Sequence, residues 1–117
     1  MRARVSRNDQ GGAPVAEWIT VGKADEIAEG DATAFDANGE QVAVSRVNGE
    51  LHAFSDICTH RGCNLSLGGE IDGTAIECEC HGSVFDMVTG EVINGPATEP
   101  IATFPVSDEG GDLRIEA

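Results

Sequence analysis

Residues Cys58–Cys63 read CTHRGC, and residues Cys78–Ser83 read CECHGS. These twelve residues hold all four cysteines of the chain and two of its three histidines. Each stretch offers one thiol and one imidazole within a tight turn: Cys58-x-His60 in the first, Cys78-x-x-His81 in the second. Seventeen residues separate His60 from Cys78, and they lead into the strand-like GTAIECE, which begins at Gly73 and runs through Cys78. That length lets the chain lead out and back, so the two turns face each other. Four donors, two sulfur and two nitrogen, then converge on one metal site.

Two kinds of metal suit that donor set. Zinc takes two cysteines and two histidines as a tetrahedral structural site. A two-iron, two-sulfide cluster can take two cysteines on one iron and two histidines on the other. In zinc fingers the cysteines come as one pair and the histidines as another. Here each turn carries one of each, which favours the iron cluster, with zinc as the alternative. Cys63 and Cys80 are left over. A disulfide between them would clip the two turns together, worth roughly 3 kcal/mol in a chain-entropy account. The alternative is two free buried thiols, as a reducing cell would keep them. His52, in ELHAFSD, lies outside both turns and reads as a half-buried strand residue with no role.

The rest of the chain bounds what such a site can serve. At 117 residues it is one domain with a modest core. The aromatics are few: Trp18, Phe35, Phe54, Phe85 and Phe104, with no tyrosine. The formal charge is −14, and three of the seven basic residues, Arg2, Arg4 and Arg7, crowd the N-terminus. Such a surface argues against nucleic acid; it fits a basic protein partner or, equally, plain solubility or adaptation to a salty cytoplasm. No run approaches the roughly 18 apolar residues of a membrane span. The opening MRARVSRNDQGGAP lacks the apolar core of a secretory signal. Residues 1–15 therefore read as a disordered tail, residues 16–117 as the domain, and the protein as cytoplasmic.

Short strand-like runs recur between turn residues, and no helical period is sustained. AEWITVG is the first run, and ADEIAEGD is one helical turn ended at Gly30. Asn48-Gly49 sits between two β-prone runs, the strongest short hairpin signal. Further turns fall at Thr89-Gly90 and Gly110-Gly111. The fold class is all-β, a small sandwich or barrel of antiparallel strands.

With the two ligand turns goes a wider likeness. NGELHAF precedes the first, HGSVFDMVTGEV follows the second, and GPATEPIATFPV comes later. Across residues 16–116 the chain resembles Rieske [2Fe-2S] proteins, and by its size a soluble Rieske-type ferredoxin. The resemblance implies a small Rieske-type domain with a two-loop cluster-binding subdomain, its loops at about 57–67, 78–85 and 94–98. It implies a [2Fe-2S] cluster with Cys58 and Cys78 on the inner iron, and His60 and His81 on the outer iron. Gly95-Pro96-Ala97 resembles the family's proline-containing third loop, so Pro96 would help cover the cluster.

CTHRGC and CECHGS resemble the disulfide-bearing loops of cytochrome bc and arsenite oxidase Rieske subunits, which implies a Cys63–Cys80 bridge. Glu79 stands where the family commonly has proline. Ser83 stands where high-potential relatives direct a hydroxyl at a bridging sulfide, and Phe85 where they place a tyrosine. Glu79 and Asp56 add negative charge that Arg61 opposes. These features together imply an intermediate potential within the family range of about −150 to +300 mV.

The implied function is electron transfer rather than catalysis, since both irons are fully ligated and no nucleophile–base pair is evident. Electrons would pass from an NAD(P)H-dependent flavin reductase to a terminal oxygenase. The carrier would be a monomer, docking through His60, Arg61, His81 and Pro96. The rival readings are a redox subunit built into a larger enzyme, such as a nitrite reductase or arsenite oxidase, and a zinc-stabilised interaction module.

Overall fold

A computed structural model describes residues 17–60 and 62–117. The tail expected over residues 1–15, and Arg61, lie outside the described residues. The described chain is short antiparallel strands with one 3-10 turn at Ala24–Glu26. In chain order the strands are β1 (Trp18–Lys23), β2 (Ala32–Ala37), β3 (Glu40–Val47), β4 (Glu50–Ser55), β5 (Glu70–Asp72) and β6 (Ala75–Glu77). They continue with β7 (Val84–Asp86), β8 (Val92–Asn94), β9 (Thr103–Phe104), β10 (Val106–Glu109) and β11 (Asp112–Glu116). Three sheets result, ordered β1-β11-β10, β2-β3-β4-β9 and β5-β6-β7-β8.

The β2-β3-β4-β9 sheet is the platform, because both of its faces are covered. Val42, Val44 and Ala53 pack with Leu113 and Ile115 from the terminal sheet. Ala43, Val47 and Phe54 point the other way and pack with Ile76, Phe85, Cys58 and Cys78. That is why Val42–Ser45 are buried in unbroken succession instead of alternating with polar residues. Phe54 and Phe85 are both fully buried, each contributing about 1.5–3 kcal/mol from removal of apolar surface.

Turn chemistry sets the register. Asn48 and Gly49 have φ of 54° and 81°, as a two-residue type I′ turn requires, and they place Val47 opposite Glu50. The Glu29 carboxylate accepts both of their backbone N–H groups, which holds its pKa below the ordinary range. The same device recurs at Asn38-Gly39, with φ of 57° and 85°, and pairs β2 with β3. The hairpin at Gly110-Gly111 is formed as its sequence indicates.

One reading needs correction. GTAIECE is not a single strand linking the two loops. Gly73 and Thr74 make a turn, and only Ala75–Glu77 is extended, paired with β5 on one side and β7 on the other. The cluster loops are thus joined by a hairpin, with Glu70 directly opposite Glu77.

Gly90 marks where the β7–β8 turn meets the rest of the chain. Its N–H bonds the Asp86 carbonyl, and its own carbonyl accepts Ile101 N–H at 2.8 Å. Its φ is +84°, and an added Cβ would overlap the Ile101 carbonyl oxygen. Gly39 has a similar φ of +85° but open space around it. Gly90→Ala is therefore expected to lower unfolding free energy by about 3 kcal/mol, against about 1 kcal/mol for Gly39→Ala. Denaturant titration of the two variants checks the difference, and equal losses would contradict it.

Candidate metal centre

The two ligand loops are the same turn made twice. In the first, Cys58 N–H bonds the Cys63 carbonyl at 2.8 Å, and Gly62 N–H bonds the Cys58 carbonyl at 2.9 Å. In the second, Cys78 N–H bonds the Ser83 carbonyl at 2.7 Å, and Gly82 N–H bonds the Cys78 carbonyl at 3.0 Å. Both glycines have φ near +80°, at 78° and 81°. The sequence signal is Cys-x-x-x-Gly-x, present in both stretches, and it fixes the backbone independently of what the side chains bind. Within this shared frame the histidine is the third residue of the first turn and the fourth of the second.

The donors sort by depth. Cys58 and Cys78 carry free thiols, 3% and 2% exposed, inside the apolar cluster with Phe54, Phe85 and Ile76. Burial raises the Cys78 thiol above its ordinary pKa, and the neighbouring Cys58 side chain raises it further. Backbone N–H groups of Cys80 and His81 act in the opposite sense. That backbone contribution favours the thiolate, the form a metal would bind. His60 is half-buried and His81 exposed, with ring centroids 5.0 Å apart and planes at 85°. The two thiols are thus the buried pair and the two imidazoles the more exposed pair. This donor set fits the two-thiolate, two-imidazole demand of a bridged two-iron cluster.

Cys63 and Cys80 are joined by a disulfide, with Cα atoms 6.5 Å apart. The bridge links the last residue of the first turn to the third of the second. The sulfurs of Cys63, Cys78 and Cys80 all lie within 4.8 Å of one another. They do not form a ligand set, because two of the three are spent on the bridge and offer no thiolate.

The third loop is tied to both turns. Ala97 N–H donates to the Ser83 hydroxyl oxygen at 3.0 Å. Thr59 donates its hydroxyl proton to the Glu99 carbonyl at 2.7 Å. Ser83 is fully buried, and because its oxygen accepts from Ala97 its own proton is left to donate elsewhere. Pro96, after a cis peptide bond, is exposed; the buried member of this loop is Ala97. Glu79 lies over Gly68 and, with Glu70 and Glu77, lines an open acidic cleft beside Cys78. Sequence reasoning did not identify the bonds of Thr59 and Ala97, since each depends on a partner well along the chain.

A model of the Rieske [2Fe-2S] domain matches residues 17–105. The chain belongs to the Rieske [2Fe-2S] domain family. Its cofactor is accordingly a [2Fe-2S] cluster. The chain is 38% identical over 92 residues to the ferredoxin component of the naphthalene 1,2-dioxygenase/salicylate 5-hydroxylase systems of Ralstonia sp. That match covers 79% of this chain and 88% of the relative. Among solved structures, the Sphingomonas yanoikuyae B1 ferredoxin superposes with a TM-score of 0.80 at 32% identity, covering 86% of this chain and 99% of that one. The chain also resembles, at TM-score 0.77 and 33% identity, a chain in the complex of reduced oxygenase and oxidised ferredoxin of carbazole 1,9a-dioxygenase. There it covers 85% of this chain and 92% of the other.

Two outcomes follow for a protein carrying this cluster. Cys58→Ser and His81→Ala are each expected to abolish the visible absorption of the iron–sulfide chromophore, measured together with iron and sulfide content. Ser83→Ala is expected to lower the midpoint potential by roughly 50 mV, as loss of about 1 kcal/mol of hydrogen bonding to the reduced state. A redox titration showing no shift would place the Ser83 proton away from the metal centre.

Proposed function

We propose that this protein is a one-electron carrier that takes electrons from an NAD(P)H-dependent flavin reductase and delivers them to a terminal oxygenase. In this reading Cys58 and Cys78 hold the inner iron, His60 and His81 hold the outer iron, and Ser83 with the Pro96 loop tunes the centre. A bound cluster supplies one electron per cycle. The chain's own contribution is to bury the thiol end against Phe54 and Phe85 and to bring the imidazole end to the surface. The single observation that carries the reading is this depth order, thiols below and histidines above, because it gives one side from which a partner can reach the centre.

The relatives' names support the oxygenase branch over a subunit built into a larger enzyme. The matching proteins are ferredoxin components of dioxygenase systems, and this chain covers most of their length. Among the described residues no helix is long and apolar enough to cross a membrane. The carrier acts as a cytoplasmic monomer in this reading. Its partner presents a basic surface, since the net charge is −14 and the cleft beside Cys78 is lined by Glu70, Glu77 and Glu79.

Reconstitution tests the proposal. With a flavin reductase, NAD(P)H and the terminal oxygenase, addition of this protein should restore substrate-dependent oxygen uptake. Its transfer rate to the oxygenase should fall by roughly tenfold or more as salt rises from low levels to about 0.5 M. A rate indifferent to salt would rule out the charge-steered encounter. A colourless preparation holding zinc and no sulfide would rule out the carrier altogether.

A further inference from the structure

We propose that Asp56 is the positioning residue of the metal centre: its buried carboxylate fastens the first ligand loop to its own stem and sets the electron affinity of the cluster held there. The inference rests on the reading above in which Cys58 and His60 are donors.

Asp56 is 0% exposed. Its Oδ1 accepts Ser66 N–H at 2.7 Å, and its Oδ2 accepts Asn64 Nδ2 at 2.7 Å and the Ser66 hydroxyl at 3.0 Å. Its backbone takes part as well. The carbonyl accepts Leu65 N–H at 2.7 Å, and the amide donates to the Gln41 carbonyl at 2.9 Å. Asn64 Nδ2 also reaches Gln41 Oε1 at 3.1 Å, so β3 anchors the whole group. One residue thereby closes the loop that carries Cys58, His60 and Cys63. The disulfide ties that loop at Cys63 to the second loop, and Asp56 holds it at its stem.

Loop closure alone does not require a charge. Among the described residues, the carboxylate's hydrogen-bond partners are neutral donors. A buried charge held only by neutral groups is costly, and a neutral acceptor could close the same loop. What the charge adds is a fixed negative potential two residues from a ligand thiol, in surroundings of low dielectric. A fixed negative charge favours the oxidised, more positive cluster. Removing it raises the midpoint potential.

Asp56→Asn separates the two roles. Its oxygen can still accept Ser66 N–H. The Ser66 hydroxyl can turn to accept, and the Asn64 amide can present its oxygen. The loop then closes without the charge. Asp56→Ala removes every side-chain acceptor.

Wild type and both variants are loaded with the cluster. Each is titrated for midpoint potential, then challenged with an iron chelator while the visible absorption is followed. Asp56→Asn is expected to hold full iron and sulfide with a raised midpoint. Asp56→Ala is expected to lose iron about tenfold faster than wild type or more, as buried donors are stranded. A purely structural role would leave the Asp56→Asn midpoint at the wild-type value, and that result overturns the proposal. If Asp56→Ala does not fold, the Asp56→Asn midpoint decides alone. Wild-type protein lacking acid-labile sulfide would overturn the cluster reading and this inference with it. Sulfide-bearing wild type with an unmoved Asp56→Asn midpoint overturns this inference only.

Discussion

The centre depends on a pair of backbone hydrogen bonds that the chain makes at Cys58 and again at Cys78. In each loop the cysteine N–H reaches forward five residues, and the glycine four residues on returns to the cysteine carbonyl. The turn leaves each thiol buried and its histidine nearer the surface. Everything else at the site adjusts this arrangement. The disulfide fixes one loop against the other, and the third loop closes through Ser83 and Thr59. An orienting frame made of backbone survives many side-chain changes, which leaves the outer positions of both loops open to variation in charge and hydrogen bonding.

The acidic character of the domain matters most near this frame. Glu70 and Glu77 face each other across β5 and β6, an unfavourable placement for like charges in an antiparallel pair. Glu79 adds a third carboxylate to the same cleft. In the proposed function this repulsion is relieved when a basic partner docks, so some of the cost carried by the free protein returns as binding energy.

Much of this was legible beforehand, for reasons that can be traced to particular residues. Cys58, His60, Cys78 and His81 stood out because metal ligation demands specific residue types at short spacings. Asn48-Gly49 stood out because a left-handed turn has few sequence solutions. Asn38-Gly39 carries the same signal and deserved the same reading. The β5 strand was hidden because three residues are too few to show a period, and because it ends at Asp72, just before the run that looked like a strand begins. The bonds of Asp56 were invisible for another cause. Nothing local distinguishes an aspartate that caps a loop from one that faces water, since its partners Asn64 and Ser66 become neighbours only when the loop closes. Pro96 drew attention as the notable residue of the third loop, yet the N–H that reaches Ser83 belongs to Ala97. Proline has no such group to give.

The platform strand β3 serves two interiors at once. Val42 and Val44 belong to one, while Ala43 and Val47 belong to the other, around the sulfur donors. A slip of β3 by a single position would push branched side chains into the space beside Cys58 and Cys78 and leave a void behind Leu113 and Ile115. The two halves of the molecule are therefore indexed to each other like meshed gears. An error in the half without metal would be carried through one strand to the iron.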